Sequence, residues 1–269
     1  MSLTRVYAIF LRQVFLIKSN PTRLATIFLW VIVDILQWGY ISKYLGSLGQ
    51  STFSFVTVIL GAIILWEFVT RTQHGLMRAF LEDIWTQNFI NYFASPLEIR
   101  EYLTGLVTTG IATSLTGFWI MVLIAGLAFG YSLFRIGLFL LPFIMILFLF
   151  GIAMGFFVSA IIFRLGPSGE WLGWPVPLIL SIFSGVYYPI STLPAPLQIV
   201  AKIMPPCYVF ESMRTILSTG SFSAVLYIDL LVGLSLAMVY LWLTYKLFIL
   251  TYRYNLKTGA IARFNAEAL

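Results

Sequence analysis

Asp34 is an acidic residue that lies about ten residues into a long apolar stretch of the sequence. Ionisable side chains at membrane depth are costly, and they usually face the interior of a helix bundle or a water-filled cavity. Trp30, Gln37 and Trp38 recur at helical spacing around Asp34, so a helix places all four side chains on one face. We predict that this face lines a substrate path or contacts a second copy of the chain. The alternative is a buried hydrogen bond that joins two helices.

A second group of polar residues, Glu67, Arg71, His74 and Arg78, recurs every three or four positions, which also places it on one helical face. The spacing of Glu67 and Arg71 predicts a structural ion pair near the inner headgroups, with a link to the following loop as the alternative. His74 is the only histidine and Cys207 the only cysteine. The sequence therefore predicts neither a catalytic residue nor a metal site.

The lysines argue against ATP hydrolysis by this chain. The phosphate-binding loop of an ATPase needs a Gly-Lys dipeptide, whose backbone amides and lysine surround the phosphates. None of the five lysines follows a glycine. Any ATPase that acts with this protein is therefore expected to be a separate chain.

Six apolar stretches position these residues. A helix needs about 20 mainly apolar residues to cross a bilayer, and helices are the segments of this length that satisfy their own backbone in lipid. The sequence predicts an all-α polytopic membrane protein, with 1–269 as a single transmembrane domain. The predicted spans are 24–44, 53–70, 103–129, 136–163, 171–188 and 224–250.

The basic residues predict the orientation of these spans. The net charge is +6, and 12 of the 16 lysines and arginines fall in segments that share one side if the N-terminus is cytoplasmic. This bias matches the positive-inside rule, so both termini, including the tail 251–269, are expected in the cytoplasm of a cell (plasma or inner) membrane. The charge is then a topology signal, and no nucleic-acid partner is expected.

Two segments on the predicted cytoplasmic side have helical patterns. Within 1–20, Leu3, Val6, Phe10, Val14 and Ile17 share one face, which predicts an interfacial helix with Arg5 and Arg12 turned toward anionic lipid. The loop 71–102 contains Ser95 and Pro96 with Glu98 three residues after the serine. This pattern predicts a short helix that begins at Ser95 with a capping box.

The segment 189–220, on the predicted outer side, is rich in proline. Five of the eleven prolines lie within the eighteen residues from Pro189 to Pro206. Since prolines at this density break helices, we predict a pair of short helices that enter the outer half of the membrane and return. Glu211 and Arg214, three residues apart, are expected to form a structural ion pair.

The most specific motif joins the fifth stretch to this outer segment. It reads Ser184-Gly185-Val186-Tyr187-Tyr188-Pro189, then Leu193-Pro194 and Leu197, and then Pro205, Tyr208, Glu211 and Arg214. With the six stretches, the amphipathic start and the inside loop, it resembles the membrane subunit of an ATP-binding-cassette exporter of the type-2 permease family. Pro206 and Cys207 depart from that pattern.

The resemblance implies a half-transporter that pairs with a second copy of itself or a similar permease. A separate ATP-binding-cassette ATPase, which holds the ATP and Mg²⁺, would dock on the loop. The cargo is expected to be amphipathic, lipid-linked or drug-like. The residues implied in coupling are Ser95, Pro96, Leu97, Glu98 and Arg100, and those expected on the path or dimer seam are Trp30, Asp34, Gln37, Trp38, Ser184 and Tyr187.

Two other functions stay open at this point. A proton-coupled secondary carrier would use Asp34 as its proton site and would transport without ATP. An intramembrane lipid-modifying enzyme would need a cluster of acids, histidines or basic residues at one depth. Asp34, Glu67 and Asp229 fall at different predicted depths, which argues against the enzyme.

Overall fold

Helices form nearly all of the regular structure, as the apolar stretches predict. The computed structural model describes residues 1–47, 52–166, 169–219 and 224–259, and within these ranges it contains helices and no strand. Short 3₁₀ helices, Leu133–Phe139 and Ile190–Thr192, precede the sixth and ninth α-helices. The α-helices in chain order are α1 (Leu3–Ser19), α2 (Pro21–Ser47), α3 (Thr52–Trp85), α4 (Asn88–Ala94), α5 (Ile99–Phe129), α6 (Leu140–Leu165), α7 (Glu170–Gly173), α8 (Val176–Phe183), α9 (Ala195–Lys202), α10 (Pro205–Thr219) and α11 (Ala224–Thr258).

Three helical segments in the described ranges are long and apolar enough to cross a membrane. They are Ile99–Phe129, Ile136–Leu165 and Ala224–Thr258, and they coincide with the predicted third, fourth and sixth spans. At the positions of the first two predicted spans, α2 has 27 residues and α3 has 34. The chain therefore has the character of a membrane protein, and the six-span arrangement stays a prediction.

The fifth predicted span, 171–188, is wrong as a single helix. It is divided into α7, with four residues, and α8, with eight. Pro175 caps the start of α8, because a proline ring begins a helix well but cannot continue one. Gly185, at φ +72°, lies just after the end of α8. The apolar segment Glu170–Phe183 would extend only about 21 Å as a straight helix, which is less than the thickness of the hydrocarbon core.

The packing of α3 against α6 forms the centre of the molecule. Phe143, Phe150 and Ile146 on α6 are fully buried. The two helices approach closely at a glycine: a methyl group on Gly155 would lie 2.7 Å from Cδ1 of Leu76 and 2.9 Å from its Cβ. Small residues allow this close approach between apolar helices. The contact fixes α3, which carries Glu67, Arg71, His74 and Arg78.

An aromatic cluster joins the predicted cytoplasmic ends of several helices. The Phe80 ring on α3 lies between 5.3 and 5.5 Å from the rings of Phe89, Phe163 and Phe248, measured between centroids. These four side chains come from the C-terminal part of α3, from α4, from α6 and from α11. Edge-to-face contacts of this kind add to the stabilisation from burial. The cluster thereby holds α4 against the helix bundle.

The orientation of α1 differs from the prediction. Arg5 and Arg12 were expected to face lipid, but both contact acidic residues of the protein, Glu101 and Asp83. On the apolar face, Val6 is buried, whereas Leu3 and Val14 are exposed, and the position of α1 at a membrane surface stays a prediction. The sequence did not predict these two ion pairs, because the acids lie far along the chain, where the periodicity of α1 cannot reveal them.

The expected helix start at Ser95 is also wrong. Ser95 ends α4, and its hydroxyl donates back to the Tyr92 carbonyl at 2.8 Å. Its extended backbone (φ −97°, ψ 160°) is the conformation that a following proline favours. The next helix, α5, begins at Ile99, and the N-cap residue Glu98 forms its capping box with Glu101. The predicted capping box of Ser95 and Glu98 is therefore not formed, and Glu98 is instead the N-cap residue of α5.

The segment 189–220 folds largely as its prolines predict. The 3₁₀ turn Ile190–Thr192 leads into α9 with eight residues and α10 with fifteen, and Pro194 and Pro205 stand at their starts. Proline is favoured at these positions because its fixed φ suits the first helical turn. The pair of short helices is confirmed, whereas their depth in a membrane stays a prediction.

Candidate functional site

A cavity of about 730 Å³ lies between α1, α2, α3, α5 and the α7 region. Its volume falls within the range of about 300–1,000 Å³ that is common for small-molecule sites. Trp30 and Asp34 of α2 line it, together with Glu67 and Arg71 of α3. Along α3 the lining continues from Glu67 to Trp85, a distance of roughly 27 Å at 1.5 Å per residue. The cavity is therefore elongated along α3.

The Glu67–Arg71 pair forms one polar part of the cavity wall. The Arg71 Nε lies 2.8 Å from Glu67 Oε2, and the two side chains are only 14% and 12% exposed. The guanidinium rests against α5 at Gly117, where a methyl group would lie 2.8 Å from Arg71 Nε. The glycine thus provides the space in which Arg71 crosses from α3 to α5.

Trp174, just after α7, lines the cavity next to α3. Its ring centroid lies 4.8 Å from that of His74 and 4.8 Å from the Arg78 guanidinium carbon. Its indole nitrogen donates to Glu170 at 3.3 Å. The Gln73 side chain holds this region to α3 by donating to the Gly173 carbonyl at 3.2 Å. Trp174 is therefore fixed on three sides at the cavity surface.

The six residues predicted on the substrate path or dimer seam do not all lie at the cavity. They are Trp30, Asp34, Gln37, Trp38, Ser184 and Tyr187. Trp30 and Asp34 line the cavity, whereas the other four do not. Trp38 stacks on Tyr187 at 4.9 Å between ring centroids, which joins α2 to the turn after α8. Ser184 is buried, and its hydroxyl donates to the Leu180 carbonyl at 2.7 Å. Ser184 and Tyr187 follow the end of α8 at Phe183, outside the cavity lining. Whether any of the six residues lies on a dimer seam stays a prediction.

Arg12 and Asp83 form the centre of a second polar cluster, near the end of α3. The Arg12 Nη1 lies 2.6 Å from Asp83 Oδ1, and the Asp83 side chain is fully buried. Tyr102 and Tyr92 donate their hydroxyls to the same carboxylate at 2.7 and 3.3 Å. Burial raises the pKa of the Asp83 carboxyl, and the Arg12 guanidinium opposes that rise. One carboxylate therefore connects α1, α3, α4 and α5.

A third polar group attaches the start of α1 to the start of α5. The Ser2 backbone N–H donates to Glu101 Oε1 at 2.5 Å, and Arg5 Nη1 lies 3.2 Å from Glu101 Oε2. Arg5 also donates to the Pro96 carbonyl at 2.5 Å. The hydrogen bond from Arg5 thus holds the turn that contains Pro96 against α1. The residues predicted to couple to an ATPase remain accessible there: Leu97 is half-buried, and the exposed ones are Ser95, Pro96, Glu98 and Arg100.

Arg214 and Glu211 hold the outer motif together. Arg214 Nη1 lies 3.0 Å from Glu211 Oε1, and the same guanidinium donates to the carbonyls of Gly185 and Tyr188. Glu211 in turn accepts the Ile190 N–H at 3.0 Å. The conformation of Gly185, at φ +72°, turns the chain so that its carbonyl faces the arginine. These residues close the turn between α8 and α9.

Sequence reasoning missed Trp174 and the Arg12–Asp83 contact. Trp174 follows a four-residue helix that interrupts the predicted fifth span. The spacing of apolar residues therefore could not predict which side of a helix Trp174 would occupy. Asp83 had only its charge as a signal in the predicted inside loop. In the residues that the structure describes, no group of three His, Cys, Asp or Glu side chains could hold a metal ion.

Comparisons with known proteins do not assign this chain to a family. No protein-family model matches it, and no curated protein is significantly similar to it. The resemblance to type-2 permeases therefore rests on the motifs given above.

Proposed function

We propose that this chain is the membrane-spanning subunit of an ATP-driven exporter of the ATP-binding-cassette type-2 kind. It would act as a dimer with itself or a similar permease, with ATP hydrolysed by a separate ATPase chain that holds the ATP and Mg²⁺. The proposed cargo is an amphipathic, lipid-linked or drug-like molecule. The proposed setting is a cell membrane, with six spans and both termini in the cytoplasm.

The continuity of α3 is the observation that supports this function most. This single helix carries Glu67, Arg71 and His74 on the cavity wall and Asp83 in the polar cluster next to α4 and α5. The twelve residues from Arg71 to Asp83 correspond to about 18 Å of helix. A displacement of the exposed turn at 95–98 would reach the cavity through one rigid element. An ATP-driven transporter needs a mechanical link of this kind.

The exposed turn is the proposed contact for the ATPase. Ser95, Pro96 and Glu98 are exposed, and Arg5 and Glu101 hold the turn on α1 and α5. An element that transmits a force must be fixed on its inner side and accessible on its outer side. The turn meets both conditions, although it is not the separate helix that the sequence predicts.

The test is to purify the chain with a candidate ATPase and to measure ATP hydrolysis in lipid. The coupling variant combines Pro96→Ala and Glu98→Ala, and the matched control is Ser218→Ala, an exposed serine in the outer segment. We expect the coupling variant to lose ATPase association or the cargo-dependent stimulation of hydrolysis, and the control to keep both. A chain that never associates with any ATPase would refute the exporter proposal.

A second candidate, the proton-coupled carrier, is favoured by Asp34. This carboxylate lines the cavity and forms no hydrogen bond or ion pair with other residues in the described ranges. Transport by purified chain in vesicles, driven by a pH gradient without ATP and abolished by Asp34→Asn, would support the carrier. Transport that requires the ATPase would exclude it.

A further inference from the structure

The charged residues around the cavity have the opposite balance to the whole chain. Among the residues that the structure describes, the cavity is lined by four carboxylates (Asp34, Glu67, Glu82 and Glu170) and by two guanidinium groups (Arg71 and Arg78), whereas the chain carries a net charge of +6. An excess of carboxylates in a partly enclosed space attracts positive charge, because field lines concentrate in clefts with low-dielectric walls. The balance therefore favours a cation over an anion.

Most of these charges already have partners in the protein. Arg71 pairs with Glu67 at 2.8 Å. Arg78 lies on the Trp174 ring, and the Trp174 indole donates to Glu170. Asp34 lines the same cavity near enough to Arg71 to be affected by its charge, but it forms no ion pair or hydrogen bond of its own in the part of the chain that the structure describes. It is therefore the carboxylate best placed to meet a positive charge on a bound molecule.

Gln13 provides an independent indication that the cavity holds a ligand. Its side chain is only 3% exposed and lines the cavity, and its Nε2 has no hydrogen-bond partner. The Nε2 of His74, which lines the same cavity from α3, also has none. A buried donor that makes no hydrogen bond destabilises the folded state. A ligand with an acceptor oxygen would satisfy the Gln13 amide.

Three tryptophans supply the apolar part of the site. Trp30, Trp85 and Trp174 line the cavity, and each is at least 42% exposed. Indole faces bind flat aromatic groups by stacking, and they attract cations through their π electrons. Arg78 already shows this interaction on Trp174. The wall therefore suits a positively charged molecule that also has an aromatic surface.

We propose that the cavity binds an organic cation with an aromatic body, with Asp34 as its counter-charge, Gln13 as a hydrogen-bond donor and Trp30, one helical turn from Asp34, as the stacking surface. This inference names the cargo class and so rests on the proposed exporter function. It excludes anionic lipids as the preferred occupant. Binding to the cavity does not need the ATPase, so it is tested separately from coupling.

The experiment measures binding of rhodamine 6G, an aromatic cation, to the purified chain in lipid nanodiscs by fluorescence anisotropy, without ATPase or nucleotide. Asp34→Asn should weaken the binding about 10-fold or more, which corresponds to about 1.4 kcal/mol. Asp34→Glu keeps the charge and should bind far better than Asp34→Asn. The matched control is Asp229→Asn on α11, since that aspartate does not line the cavity.

A neutral dye separates loss of charge recognition from loss of folding. Nile red, which is aromatic and uncharged, should bind the wild type and Asp34→Asn equally. Equal rhodamine 6G binding by the wild type and Asp34→Asn would overturn the proposal, as would equal losses for both dyes. Failure of the ATPase test alongside charge-selective rhodamine 6G binding would refute the exporter and leave the cation site intact.

Discussion

The guanidinium of Arg12 lies 2.6 Å from the buried carboxylate of Asp83, so the N-terminal helix is joined to the end of α3 by an ion pair. Tyr92 and Tyr102 donate to the same carboxylate. Removal of Arg12 would leave a buried carboxylate with two neutral donors and no counter-charge. The cost of such an unpaired charge is larger than the net contribution of the pair itself.

We therefore expect Arg12→Ala to lower the free energy of unfolding by about 3 kcal/mol or more. The double variant Arg12→Ala with Asp83→Asn should recover part of this loss, because the amide no longer carries an unpaired charge. Thermal unfolding of the purified chain in detergent measures both. The single variant Asp83→Asn completes the comparison. If the loss in the double variant equals the sum of the losses in the two single variants, the residues do not interact.

The close contact of α3 and α6 at Gly155 predicts a steric defect. Gly155→Ala places a methyl group 2.7–2.9 Å from Leu76 side-chain atoms, including its Cβ, so the helices must move apart. We expect a loss of about 1–3 kcal/mol in the free energy of unfolding. Gly126→Ala on α5 is the control, because its methyl group would meet only the Tyr131 carbonyl, at 3.7 Å. A neutral result at Gly155 would contradict the observed packing.

The hydrogen bonds of Arg214 predict a specific opening of the outer turn. Arg214→Lys keeps the charge but cannot bond the carbonyls of Gly185 and Tyr188 together with Glu211, because it lacks the planar fork of donors. Hydrogen exchange at the Ile190 amide, which donates to Glu211, should become faster. Arg164→Lys is the control, since Arg164 contacts Tyr254 near the opposite end of the bundle. Unchanged exchange at Ile190 would show that the turn closes without the arginine.

The stacked rings of Trp38 and Tyr187 predict a coupling energy between α2 and the turn after α8. Their centroids are 4.9 Å apart and their planes differ by 18°. A double-mutant cycle with Trp38→Ala and Tyr187→Ala should give an interaction of about 0.5–1.5 kcal/mol, as is usual for aromatic pairs. A coupling near zero would indicate that the rings are neighbours without a stabilising contact.

The sequence predicted the helical class and most element positions because these depend on local patterns. The long apolar runs required helices, and the prolines between 189 and 206 predicted short helices there. The ends of α1 also agree with the prediction to within about one or two residues, the usual uncertainty of helix boundaries.

The errors concern contacts between residues that are distant along the chain. The sequence predicted a lipid-facing surface for the arginines of α1, because the pattern of this 17-residue helix contains no information on Asp83 and Glu101, their partners elsewhere in the chain. Pro175 interrupts the fifth stretch. The prediction missed this break because a mean hydropathy taken over the whole stretch gives no signal at a single proline. Of the six residues predicted on a path or dimer seam, Trp30 and Asp34 line the cavity, and the other four lie elsewhere on α2 and near the end of α8.

The cavity also gives the protein its own optical reporter. Three of the eight tryptophans, Trp30, Trp85 and Trp174, line the cavity, and Trp174 is held against His74 and Arg78. Indole emission responds to the polarity and stacking of its surroundings, so the filling of this space should change the intrinsic fluorescence of the chain. If the other five tryptophans are replaced by phenylalanine, the remaining signal comes from the cavity wall. Occupancy could then be followed with an unlabelled ligand, with and without any partner chain.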